Sequence, residues 1–238
     1  MLPSRRKAGR KAKGYPALPY QQAGEFLADL REGVAARALE FLILCAVRTG
    51  DINGQADNED RPPMKWGDVD FDKQVWTVPK TKTGGEHVVP LSPAALAVLR
   101  TVQALKLDGE LVFPSLDKPG QPLSHAGMSS VIRRMNRERV AQGLPPYVDP
   151  EQGNRPASVH GTRATFRTWC GDCSNFQKEV IEAALAHTIS NKVEAAYDRG
   201  DKFEKRRRLM TAWANFLAKP AAATADGKVV ALNLTGTF

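Results

Sequence analysis

His160 and Arg163 stand three residues apart, so a helix beginning there would carry an imidazole and a guanidinium on one side, able to grip a phosphate from two directions. Alone, that spacing is common. Arg48, Lys82, His187 and Tyr197 each have an ordinary explanation when taken singly. Arg48 ends an apolar helical stretch, where it would pair with the helix C-terminal dipole. Lys82 flanks a glycine turn, and Tyr197 follows Glu194-Ala195-Ala196 in a stretch where tyrosines are usually packed. In order, however, Arg48, Lys82, His160, Arg163, His187 and Tyr197 supply every part that cleavage of a phosphodiester without metal requires.

Positioning these groups requires a scaffold, and hydrophobic periodicity predicts a mainly helical one. Apolar residues fall at helical spacing from Gln21 to about Leu30 and from Val34 to Thr49, with Gly33 between and Gly50 as a C-cap. Residues 51 to 63, rich in Asp, Asn, Gly and Pro, read as an exposed loop. From Trp66 to Leu91 the period changes: β-formers flank Gly84-Gly85, which predicts a small three-stranded antiparallel sheet. Helical spacing returns after Ser92-Pro93 through Leu105, and again from Ser124 to about Gln142, followed by a loop from Pro145 to Pro156. Residues 162 to 219 read as helical, with breaks near Gly171 to Asn175 and His187 to Asn191. The division expected is a basic linker or arm over 1–20, a catalytic domain over 21–218 and a tail over 219–238. The fold class is α+β, mainly helical.

Composition narrows the function. The 238 residues are 42% hydrophobic and 25% charged, as in ordinary globular proteins. The longest apolar run, Phe41 to Val47, is far too short to span a membrane, and no signal peptide follows the basic N-terminus. Three cysteines fit a reducing compartment, so a cytoplasmic protein without membrane partners is expected. The net charge of +8 is the footprint of a nucleic-acid partner. Six of those charges lie in residues 1–20, which contain no acid. The basic stretches holding Arg133, Arg134 and Arg137, and Lys205 and Arg206, are candidate DNA-phosphate contacts or, equally, solvated helix faces. Cys170 and Cys173 have metal-like spacing without a second pair, so no metal site is expected.

Longer blocks carry a resemblance. These are Pro16-Ala17-Leu18-Pro19-Tyr20, Leu39 to Leu44 leading to Arg48-Thr49-Gly50-Asp51, and Glu86-His87-Val88-Val89-Pro90-Leu91-Ser92. They continue in His160-Gly161-Thr162-Arg163-Ala164-Thr165-Phe166-Arg167, Leu185-Ala186-His187, and Asn191 to Asp201 around Tyr197. The chain thereby resembles the tyrosine recombinases, specifically the catalytic domain of P4-type prophage and genomic-island integrases. The resemblance implies that fold, and site-specific integration or excision of a mobile element on double-stranded DNA.

It also implies roles. Arg48 and Arg163 would hold the scissile phosphate, Tyr197 would attack it to form a 3′-phosphotyrosine, and His160 would assist proton transfer. Lys82 would protonate the leaving 5′ oxygen, with Lys80 as the alternative on the same strand face. His187 would donate a hydrogen bond to the phosphate, and Asp51 would orient Arg48 or His160. No cofactor is implied. Four subunits would act together on DNA, with accessory DNA-bending or directionality factors, while the isolated domain would be monomeric. The tail would pack on a neighbour. The resemblance further implies an excised catalytic domain beginning at the interdomain linker. The segment Ile52 to Pro63 is longer than the family's usual connection. A type IB topoisomerase and a DNA-binding regulator without catalysis are the alternatives.

Overall fold

Helix α2 (Val34–Cys45) lies at the centre of the fold, because nine of its twelve side chains are buried and the other helices gather round it. The computed structural model describes residues 14–55, 60–187 and 202–219. The other helices are α1 (Ala23–Ala28), α3 (Thr49–Asn53), α4 (Pro93–Ala104), α5 (His125–Ala141), α6 (Thr162–Cys173), α7 (Lys178–Ala184) and α8 (Phe203–Leu217). Helices α4, α5, α6 and α8 all pack on α2. Trp213 of α8 donates its indole N–H to Ile43 O at 2.9 Å, stacks on Phe216, and meets Trp169 at a tilt and Phe166 edge-on beneath α6. The expected three-stranded antiparallel sheet is present as β1 (Val69–Asp70), β2 (Val75–Val78) and β3 (His87–Pro90), in that order. Ser92 caps α4 and Pro93 occupies its first turn, as the sequence predicts.

Three local expectations change. Helix α2 stops at Cys45, because Ala46 turns to a left-handed φ of 51° and its N–H returns to Ile43 O. The chain then re-enters a helix, so Arg48 is the N-cap of α3 and not the last residue of α2. The first part of the expected exposed loop is therefore buried: Asp51, Ile52 and Asn53 are each no more than 5% exposed. The segment 145–156 contains a short hairpin, β4 (Val148–Asp149) with β5 (Arg155–Pro156).

The segment before α1 also differs from a free arm. Leu18 is buried in the core, Ala17 N–H donates to Asp149 Oδ2 at 2.8 Å, and Pro16 O accepts from Ser158 N–H at 3.0 Å. Thr165 Oγ1 completes the dock by donating to Leu18 O at 2.6 Å. Residues 1–13 of the basic arm, the nucleophile candidate Tyr197 and the tail beyond Lys219 lie outside the described residues. Among the described residues no helix is long and apolar enough to cross a membrane.

Candidate active site

Two helix ends and one helix start converge on Arg163. It is carried in the first turn of α6 and only 7% exposed. Its Nη1 donates to Ala46 O at 2.5 Å, where α2 ends, and its Nη2 donates to Leu185 O at 2.7 Å, where α7 ends. The same Nη2 lies 3.1 Å from His187 Nε2. A guanidinium has no lone pair to offer, so Nε2 is the acceptor and the ring proton of this geometry sits on Nδ1. That proton is donated to Glu182 Oε2 at 2.6 Å. Burial raises the Glu182 carboxyl pKa, but the His187 hydrogen bond and the Arg167 charge outweigh it and hold it below the ordinary range.

Arg48 reaches the next carbonyl of the same segment. Its Nη2 donates to Ala186 O at 3.4 Å, and Ala186 is a second non-glycine residue at a left-handed φ, 47°. Thr83 Oγ1 donates to that same carbonyl at 3.4 Å, which leans the turn between β2 and β3 on the His187 segment. Thr81 fixes the turn by donating Oγ1 to Gly84 O at 3.0 Å, and Gly84 and Gly85 supply its positive φ angles of 84° and 76°. Lys82 is exposed at the tip. Lys80 pairs with Asp60. Both lysines therefore sit beyond the end of β2, in the turn, not on a strand face.

His160 precedes α6, and its ring lies 4.3 Å from that of Tyr15. Burial lowers its pKa first, and the charges of Arg163, Arg48 and Lys82 lower it further. That shared electrostatic influence places all four groups in one positive field. The same field acts on Arg163, whose pKa falls to about 10 through burial and then through Arg48, which leaves it charged at neutral pH. Among the described residues, the buried Nη1 of Arg48 has no hydrogen-bond partner. A buried donor left open beside a second guanidinium is what an anion site requires.

The other sequence candidates separate. Asp51 accepts the Arg48 main-chain N–H at 2.9 Å and the Arg61 guanidinium at 3.4 Å, so it holds the backbone of Arg48, not its side chain or His160. Arg133, Arg134 and Arg137 are exposed on α5. Arg206 is 8% exposed and donates to Val88 O at 2.7 Å, binding α8 to β3 in place of the open phosphate contact expected. Lys205 is exposed and donates to Gln177. Cys170 is buried, with its thiol pKa pushed up to about 12 by that burial. No group of three or more metal-ligating side chains occurs among the described residues.

Sequence reading missed Glu182, Arg61, Tyr15 and His87. Only His87 had a local signal, its place in the Glu86 to Ser92 block. Its pKa falls to about 4 through burial and then through Arg206, Arg48 and Arg163. Against an ordinary value near 6.5, it carries no penalty above that pH, and the cost of charging it accrues as pH falls from about 6.5 to about 4. The full effect is on the order of 3 kcal/mol. His87→Gln, which keeps a donor, is expected to flatten the acid side of the stability curve. Urea unfolding at pH 7 and pH 4.5 checks this, and an unchanged acid slope would remove His87 as a cause.

Known proteins share this arrangement of sequence. A profile of the Phage integrase family matches residues 33–203. Prophage integrase IntA of Escherichia coli K12 is 32% identical over 173 residues, covering 72% of this chain and 37% of that protein. The integrase of Enterobacteria phage P4 is 28% identical over 226 residues, covering 87% of this chain and 46% of its own length. The chain thus spans less than half the length of either relative. Among solved structures, the Tn1549 transposon integrase in complex with circular intermediate DNA has a similar fold, with a TM-score of 0.53 at 16% identity. That match covers 84% of this chain and 66% of the other. A profile match over most of the chain, and an integrase above 30% identity along nearly three quarters of it, decide the family: this chain belongs to the phage integrases.

Proposed function

We propose that this chain is the catalytic domain of a site-specific recombinase that integrates or excises a mobile element by cutting and rejoining double-stranded DNA. The observation that carries the reading is the pair of guanidinia, Arg48 and Arg163, closed round one point by the Ala186 and Leu185 carbonyls, with Arg48 Nη1 still open. Two forks on one phosphate neutralise its non-bridging oxygens as charge builds in the transition state.

The reaction then balances within the chain's own side chains. The Tyr197 phenol passes its proton to His160, whose lowered pKa leaves the ring able to accept it, and the phenolate oxygen bonds to phosphorus. The bond from phosphorus to the 5′ oxygen breaks, and Lys82 delivers a proton to that oxygen. Lys80 is engaged with Asp60, which favours Lys82 for the task. His187, held between Arg163 and Glu182, is assigned a hydrogen bond to the phosphate. Rejoining is the reverse, so phosphodiester bond energy is conserved and no nucleotide or metal is consumed. Exposed Arg133, Arg134 and Arg137 are assigned to the DNA backbone, and assembly to four subunits on two duplexes, as integrase kinship supports.

Covalent capture tests the proposal. The chain is incubated with supercoiled DNA in EDTA, quenched in detergent and digested with protease. A DNA-linked peptide containing Tyr197 is the expected product. Nicking that EDTA abolishes, or a link through another residue, would overturn it.

A further inference from the structure

The excursion that separates α3 from β1 is tied at its stem. Gln55 N–H donates to Arg61 O at 3.0 Å, and Arg61 Nη1 donates back to Gln55 Oε1 at 2.6 Å. Gly54, at φ 71°, lets the two sides touch, because a Cβ there would lie 2.6 Å from Pro63 N. Two ionic links leave this stem. Arg61 Nη2 reaches Asp51 Oδ1 at 3.4 Å, with the two side chains only 11% and 4% exposed. It crosses Gly50 to do so, where a Cβ would stand 3.0 Å from that nitrogen. Asp51 Oδ2 holds the Arg48 N–H, so one carboxylate joins the excursion to the main chain of the phosphate-binding arginine. The second link, Asp60 to Lys80, runs to the turn that carries Lys82.

We propose that Arg61 is a positioning residue for Arg48, acting through Asp51, and that the excursion braces the arginine turn against the lysine turn. The inference rests on the recombinase reading above. The two links are unequal. The exposed Lys80–Asp60 pair is screened by water and holds weakly, whereas the Arg61–Asp51 bridge is buried and its loss strands a carboxylate. Arg61 Nε is itself buried without a hydrogen-bond partner among the described residues, a cost that packing alone gives no reason to accept. A small rotation of the α3 start would carry the Arg48 fork away from the phosphate, and displacement of that kind is expensive for a reaction that depends on alignment.

The test is a double-mutant cycle on the rate of covalent adduct formation at saturating supercoiled DNA, with DNA affinity measured separately by filter binding. Arg61→Gln is expected to slow the adduct rate on the order of tenfold while leaving DNA affinity unchanged. In an Asp51→Asn background it is expected to cause no further loss, and Arg61→Lys is expected to recover part of the rate. An Arg61→Gln rate within twofold of wild type would overturn the proposal, as would the same loss in both backgrounds. If thermal unfolding shows Arg61→Gln to be unfolded, Arg61→Lys carries the same cycle, with a drop only in the Asp51 background expected and an equal drop in both decisive against. Absence of any adduct from wild type would instead overturn the recombinase reading itself.

Discussion

Arg163→Lys is expected to slow covalent adduct formation by about 10²–10³, the usual cost of losing a placed donor to developing charge. The reason is geometric. The guanidinium divides its donors between Ala46 O, Leu185 O and the imidazole of His187, and does so while buried and charged. A lysine ammonium is a point charge that cannot span two carbonyls from one planar fork. At least one carbonyl is then left buried and unpaired, so stability should fall by about 1–3 kcal/mol as well. The two losses separate experimentally. Urea unfolding measures the second, and adduct rates well below the unfolding midpoint measure the first. A variant that keeps the wild-type rate would show that Arg163 is a structural clamp and nothing more.

Gly161→Ala is expected to be among the most disruptive single-methyl changes in the chain. The residue has φ −63° and ψ −23°, a conformation that alanine accepts readily, so backbone preference is not the obstacle. The obstacle is space: a Cβ would fall 1.9 Å from Pro16 O and 3.0 Å from Ala17 Cα, both fixed main-chain atoms. Either the start of α6 moves or the docked segment leaves. Departure would forfeit the Ser158, Asp149 and Thr165 hydrogen bonds and the Tyr15 ring over His160. A loss of about 3 kcal/mol is expected, the upper range for overpacking, lowering the thermal midpoint by about 6–12 °C in a chain of this size. A midpoint within about a degree of wild type would mean that the close approach is easily relieved.

Much of the scaffold was legible before the structure. The caps of α4, the glycine turn of the hairpin and the periodicity of α2 and α5 are local signals, and local signals survive in a sequence. The end of α2 was not legible. Leu44-Cys45-Ala46-Val47 continues the apolar pattern without a glycine, and the break at Ala46 serves Arg163, 117 residues away, which takes its carbonyl. Arg48 was thus identified by its motif but placed on the wrong helix. The burial of Asp51 to Asn53 was hidden similarly, since polar residues beside Gly and Pro read as surface until a distant partner covers them. Among the site residues that lie in motif blocks, all were found except His87, whose block gives it a place without a role. Glu182 and Arg61 touch their partners through side-chain bonds that no spacing rule encodes.

The docked segment before α1 bears on how this fold can be joined to others. Tyr15 to Leu18 behaves as part of the folded body, since Pro16 O and Leu18 O are acceptors for its side chains and Gly161 is shaped to receive it. A chimera that grafts a foreign DNA-binding module onto this body should therefore place its seam ahead of Tyr15. A seam two or three residues later would replace the strip that covers His160, and the hybrid would inherit a recogniser without the surface on which its partner was built.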